Sequence, residues 1–199
     1  MTYSQPTVYL VDDDPQVLQM LDALVASIAV DVRAYASAQD FLAAYSATPC
    51  ECLICDLRMP DIDGMQLQKR LEDMQATLPI IFLTGYAEVN VAVEAMKHGA
   101  FDFLEKPFRA QALLGKVQAA LDLSRAQHAR WLQREAVEER MALLAPRERN
   151  VLRYVVEGRS TREVAELLRL TVRTVENDRG RIMDKLHVTS TVDLVKLFL

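Results

Sequence analysis

The chain has 199 residues, 51% hydrophobic and 26% charged, with three cysteines and a formal net charge of −5; this composition excludes a disordered polymer and allows one large domain or two small ones. No apolar run approaches the ~18–20 residues that span a bilayer, and the start has neither the basic flank nor the apolar run of a signal peptide, so a cytoplasmic protein with no membrane partner is expected. The charge is uneven: residues 1–122 carry 8 Lys+Arg against 17 Asp+Glu and residues 141–199 carry 11 against 8, which points to two modules, the second suited to nucleic acid.

Strand and helix patterns alternate in the first module. The stretch TVYLV ends at Asp12-Asp13-Asp14, and a helical pattern runs from Pro15 to about Ile28. VDVRAY reads as a second strand, AQDFLAAYS as a helix, and ECLIC as a third strand that stops at Asp56. Met65 to about Met74 is helical, PIIFL is a fourth strand ending at Thr84-Gly85, and a helix from about Val89 to His98 stops at Gly99, a natural C-cap. FDFLEKPF supplies a short fifth strand ending near Lys106-Pro107, and the next helix starts near Arg109. Five strands alternating with five helices predict an α/β fold, a doubly wound parallel sheet covered on both faces. The cysteines crowd into PCECLIC. An odd count does not make a disulfide framework, and on a strand Cys52 and Cys55 face opposite ways, which favours core packing over chelation.

From about Ala110 to Leu144 there is no proline, and Gly115 is the one internal turn signal. Good helix formers dominate, so one long helix joining the modules is expected, with a loose apolar stripe of Leu121, Leu132, Val137, Met141 and Leu144 that is either solvated or paired with its copy in a dimer. The division read from the sequence is 1–122 for the first domain, 123–140 for a helical linker and 141–199 for an all-α second domain. Within the last, RERNVLRYVVEG ends at Gly158, Ser160 and Glu163 stand at capping-box spacing, and after Arg169-Leu170 a longer helix, VRTVENDRGRIMDKL, follows Thr171. Two helices joined by a tight turn, the second longer, fit a helix-turn-helix.

In an open parallel sheet, ligands bind beyond the carboxyl ends of the strands. Four strands here end in chemistry: Asp12-Asp13-Asp14, Asp56, Thr84 and Lys106. Carboxylates gathered at one edge repel one another, and a hard divalent cation with water in its shell, Mg²⁺ or Mn²⁺, relieves that. Asp56 is then placed to attack phosphorus as a carboxylate nucleophile, with the Lys106 ammonium and the Thr84 hydroxyl set against phosphoryl oxygens. Each residue has a plainer reading as well: Asp12 to Asp14 as an N-cap cluster before Pro15, Asp56 as a turn residue, Lys106 as a solvated charge, Phe103 as core. The stretch Asp61-Ile62-Asp63-Gly64 is similar to the nucleophile motif of haloacid-dehalogenase-type phosphatases, but the position following the buried strand belongs to Asp56, so a loop and the start of the next helix are expected there.

Asp12-Asp13, Asp56 within CDLRMPDIDG, Thr84-Gly85 and EKPF together resemble the signature of a response-regulator receiver domain, of the flavodoxin- or CheY-like (βα)5 type, over about residues 5–122. The resemblance implies that Asp56 accepts a phosphoryl group from a sensor histidine kinase. It implies that Asp13, Asp56 and the backbone carbonyl of Arg58 ligate the metal while Asp12 acts mainly through water, and that Phe103, three residues before Lys106, swings inward when Thr84 moves toward the phosphoryl group. A receiver of this kind is no enzyme beyond promoting its own phosphoryl transfer and dephosphorylation. Over about residues 141–199, PRER, EGRSTREVAE, RTVE and KL resemble the LuxR-type helix-turn-helix, and the two halves together are similar to the FixJ/NarL regulators of transcription. The implied behaviour is phosphorylation, homodimerisation and binding of double-stranded DNA, with RNA polymerase a candidate partner. The alternative is a DNA-binding regulator that ignores phosphorylation and carries an inert receiver.

On the longer helix, Val172, Val175, Ile182, Met183 and Leu186 fall on one side, which is expected to be buried, and Arg173, Asn177, Gly180, Arg181 and Asp184 fall on the other, which is expected to enter the major groove. Asn177 suits adenine, Arg173 suits guanine, Arg181 reaches a base or a phosphate, and Glu176 suits cytosine. Thr171, Thr174, Arg162, Arg179 and Lys185 are candidates for phosphate contacts, with a solvated surface the plainer reading of the charged ones. Two departures from the resemblance stand out. Asp178 occupies a place where many relatives have histidine, and an anion there costs DNA affinity unless it faces the protein or accepts from a donor. Gly180 lies inside the helix, where it costs about 0.8–1 kcal/mol against alanine, and on the groove face the missing side chain is expected to compensate by letting the backbone approach DNA closely.

Overall fold

The computed structural model describes residues 5–85 and 89–197, leaving aside the side chains of 89–92. It divides into two compact units, Met1–Ala129 and Arg130–Leu199. In the first, β1 (Thr7–Val11), β2 (Asp31–Tyr35), β3 (Glu51–Asp56), β4 (Ile80–Thr84) and β5 (Asp102–Glu105) alternate with α1 (Pro15–Ala26), α2 (Ala38–Ala44), α3 (Gly64–Asp73), α4 (Val89–Lys97) and α5 (Ala110–Ala142). All strand pairs are parallel, in the order β2-β1-β3-β4-β5. The doubly wound fold is therefore as the sequence predicts, and every element expected in the first module is present.

The inner strands β1, β3 and β4 are buried along their whole length because both faces of the sheet are covered, while the edge strands β2 and β5 are only partly buried. Successive residues feed two separate cores. Tyr9, Val11, Leu53, Cys55 and Phe82 pack on one face with Phe41 of α2, Leu67 and Leu71 of α3 and Ala95 of α4. Val8, Leu10, Cys52, Ile54 and Leu83 pack on the other with Leu21 and Val25 of α1 and Leu113, Val117 and Leu121 of α5. Cys52 and Cys55 thus lie on opposite faces, and all three cysteines are free and buried. Helix α1 is shorter than its pattern suggests, because the chain turns at Ser27 and Ala29 adopts a positive φ of 56°. Helix α5 runs unbroken for 33 residues, and its buried side chains, Leu113, Val117, Ala120, Leu121 and Ser124, all lie in its first half.

The second unit holds α6 (Pro146–Val156), α7 (Thr161–Leu168), α8 (Val172–Leu186) and α9 (Thr191–Lys196) after the end of α5. Ser160 and Glu163 form the expected capping box at the start of α7. Arg169, in the left-handed region at φ 55°, closes α7, and Thr171 caps α8. The core gathers Leu144, Val151, Leu152, Val155, Val164, Ala165, Val175, Ile182, Leu186 and Leu194. One expectation is corrected: Val172, the first residue of α8 and so at its open end, is 41% exposed rather than buried. Met183 is only half-buried. Among the described residues no helix is long and apolar enough to cross a membrane.

Candidate functional site

The carboxyl edge of the sheet collects the strand-end residues. Lys106 Nζ donates to Asp56 Oδ1 at 2.5 Å and to Asp12 Oδ2 at 3.0 Å, spanning residues 50 and 94 positions away in the chain. The second Asp56 oxygen accepts from the Arg58 amide at 2.8 Å, and the Arg58 residue is exposed. Asp12 Oδ1 accepts from the Asp14 amide at 2.9 Å, and Asp14 caps α1, so part of the N-cap reading of this acidic run is also correct. Asp12 is buried and Asp13 exposed. Burial pushes the Asp56 carboxyl above its ordinary value, against the opposing pull of Lys106 and the Arg58 amide. Burial works to lower Lys106, but its bonds to the two carboxylates outweigh that and hold it above the usual range, so it stays charged.

Thr84 is fully buried, its hydroxyl donating to the Gly85 carbonyl at 3.1 Å, while its own carbonyl accepts from the Lys106 amide at 2.8 Å. That backbone bond brings the ends of β4 and β5 side by side. Phe103 sits opposite Phe82 in the β4–β5 register and packs, partly buried, against the Phe82 core. The oxygen donors of Asp12, Asp13, Asp56 and the Arg58 carbonyl suit a hard divalent ion. No group of three His, Cys, Asp or Glu residues among the described ones is arranged to hold a metal. Mg²⁺ usually keeps several waters in its shell and needs few protein ligands.

Asp61 and Asp63 do not join this set. Asp61 takes a positive φ of 64° in the turn, and Asp63 caps α3 through a capping box with Gln66. Gly64, expected at the start of a helix, has a sharper role in the structure. A Cβ there would lie 2.8 Å from the Asp56 carbonyl oxygen and 2.9 Å from Phe82 Cε1. The Gly64 amide donates to the Leu57 carbonyl at 3.0 Å, so α3 begins hard against the site. No sequence signal distinguishes this glycine from one that only permits a turn.

In the second unit, Arg173, Glu176, Asn177, Gly180 and Arg181 are all exposed on α8. A Cβ on Gly180 would meet nothing within 4 Å. The candidates for phosphate contacts divide. Arg162 is exposed. The Thr171 hydroxyl accepts from the Thr174 amide at 3.1 Å and bonds the Thr174 hydroxyl at 2.8 Å. Arg179 donates to Thr191 Oγ1 at 2.9 Å, tying α8 to α9. Lys185 donates to buried Glu148 at 2.6 Å and to the Leu143 carbonyl at 3.1 Å. Asp178 is fully buried and faces α6, where Arg147 grips both of its oxygens at 2.7 and 2.9 Å. The expected cost of an anion at this position is thereby met inside the protein. Asp178 therefore meets the exception the sequence allowed, whereas Arg147 and Glu148 carry no such signal, since charged residues at helical spacing usually mark a solvated face.

The chain matches the family model described as the response regulator receiver domain over residues 8–118. It matches the model described as bacterial regulatory proteins of the luxR family over residues 142–198. It is 42% identical to the transcriptional regulatory protein TdiR of Thauera aromatica, over 98% of this chain and 86% of that protein. It is 35% identical to the transcriptional regulatory protein FixJ of Bradyrhizobium diazoefficiens, over 96% of this chain and 93% of that protein. Its fold superimposes on the response regulator StyR with a TM-score of 0.85 at 34% identity, covering 98% of each chain.

Proposed function

Because this chain belongs to the response regulators that couple a receiver domain to a LuxR-type DNA-binding domain, we propose that Asp56 is its phosphoacceptor and that a phosphoryl group there governs dimerisation and transcriptional control. The observation that carries the reading is the pair of bonds from Lys106 Nζ to Asp12 and Asp56. They fix a cation beside Asp56, whose side chain keeps 12% exposure at the sheet edge while Asp12 is closed off at 2%.

An Asp56 oxygen attacks the phosphorus of a phosphohistidine on a sensor kinase. The O–P bond forms, the N–P bond breaks, and the imidazole leaves with its electron pair. Asp12, Asp13, Asp56 and the Arg58 carbonyl would hold Mg²⁺, which supplies charge neutralisation for the incoming phosphoryl group. Lys106 keeps its charge throughout and turns from the Asp56 carboxylate to a phosphoryl oxygen. The Thr84 hydroxyl exchanges its bond with the Gly85 carbonyl for one to the phosphoryl group, and Phe103 moves into the space this opens. The surface formed by α4 and β5 changes with it, two receivers associate there, and two copies of α8 reach half-sites about one DNA turn apart. Arg173, Glu176, Asn177, Gly180 and Arg181 face the groove, and Thr171, Thr174, Arg179 and Lys185 act at its rim, the last from its bond to Glu148.

Incubation with a small phosphodonor and Mg²⁺ is expected to add one phosphoryl group by intact mass, and Asp56→Asn or chelation with EDTA to abolish it. Full incorporation in Asp56→Asn overturns the assignment.

A further inference from the structure

Asp178 and Glu148 are both buried carboxylates, on α8 and α6, and each holds a cation that remains partly open to solvent. The side chain of Arg147 is 53% exposed although it bonds Asp178 through Nε and Nη2. Arg181, 64% exposed, lies with Nη1 4.0 Å from the same carboxylate. Lys185, 35% exposed, is held by Glu148 one turn further along α8. Three cations therefore line one flank of α8, next to the face that carries Asn177 and Gly180, and the acids that hold them are withdrawn from solvent. Were the acids there to cancel the charge, they would lie at the surface beside it. A guanidinium has five N–H donors, and a bidentate grip on Asp178 uses two of them. The two bonds to Asp178 orient the guanidinium, and with the side chain 53% exposed the N–H donors not spent on Asp178 suit a phosphate.

We propose that Arg147, which lies outside the helix-turn-helix itself, contacts the DNA backbone, and that Asp178 is the positioning residue that presents it. The proposal rests on the DNA-binding reading of the second unit. Phosphate contacts orient a protein on the duplex without reading sequence, so Arg147 sets where α8 lies in the groove while its exposed face selects bases. It also gives Asp178 a use at a position where charge alone predicts that an acid weakens binding.

The test uses the full chain and a random-sequence 30-base-pair duplex, titrated by fluorescence anisotropy over a range of salt concentrations. Arg147→Gln alone would leave Asp178 buried without its partner, so the double variant Arg147→Gln/Asp178→Asn, which retains a neutral pair, is measured as well, with circular dichroism to show that it folds. The double variant is expected to lower the slope of log K against log salt by about one unit, the share of one phosphate contact. Asp178→Asn alone is expected to weaken binding several-fold although it removes a negative charge. An unchanged slope in the double variant, or tighter binding by Asp178→Asn, overturns the proposal. Absence of binding by the unmodified chain overturns the DNA-binding reading instead.

Discussion

Gly64 and Gly180 are both glycines on helices, yet they are there for opposite reasons. At Gly64 the neighbours are the Asp56 carbonyl and the Phe82 ring, at distances no Cβ tolerates. Gly64→Ala must push α3 away from the end of β3, and overpacking of this kind costs about 2 kcal/mol. It is expected to lower the melting temperature and to slow phosphodonor labelling several-fold, because the displaced oxygen belongs to Asp56 itself; normal labelling with normal stability would contradict this. At Gly180 nothing in the protein opposes a side chain. Gly180→Ala is expected to stabilise the second unit by about 0.8 kcal/mol and to weaken DNA binding several-fold through lost backbone approach. If affinity stays unchanged in a duplex titration while stability rises, the groove role of Gly180 fails. The strand-end residues Asp12, Asp56, Thr84 and Lys106 were legible in the sequence because each ends a short apolar run. Gly64 was not, since its constraint comes from Phe82, 18 positions along the chain. Asp178 was legible only as a question, and the answer is on α6.

The three inner strands, β1, β3 and β4, were legible because burial on both faces leaves a nearly unmixed apolar run, and α7 because Ser160 and Glu163 announce its start. The exact reach of elements was less legible. Val172 satisfies the helical spacing of a buried side but opens α8 at its exposed end, where periodicity carries no information about the neighbours. The apolar part of the α6–α8 contact is what periodicity finds, but its two charged pairs, Arg147–Asp178 and Lys185–Glu148, are invisible to it, because such residues read as a solvated face. Lys185 and the Ala145 amide hold the Glu148 carboxyl below the usual carboxylate range. In an unfolded chain glutamate titrates near ~4.3. The depressed native value means that stability from this pair is complete above that pH and is lost as pH falls through the lower, folded-state value. Thermal melts between pH 5 and 3 are therefore expected to show a steeper loss in the unmodified protein than in Glu148→Gln; parallel curves would show that the pair contributes nothing.

At the scale of the molecule, the charge split between the two halves anticipated two modules, and the structure supplies two units with separate cores. The joining helix was legible too, as a proline-free run, although the depth to which its first half is buried was not. Beryllofluoride, a mimic of the acyl phosphate, is expected to double the molecular mass measured by light scattering at micromolar concentration and to raise operator affinity through a second linked head. A mass and affinity indifferent to beryllofluoride would identify the receiver as inert. The three thiols carry a further consequence. Cys50, Cys52 and Cys55 all lie on or beside β3, and burial pushes each above the ordinary thiol range. A reagent such as Ellman's meets none of them while the sheet is closed. The rate at which its yellow colour develops is thus an unlabelled stopwatch for opening of the first unit, silent to whatever the second unit does, and bound phosphate or partner can be scored by how far it slows the clock.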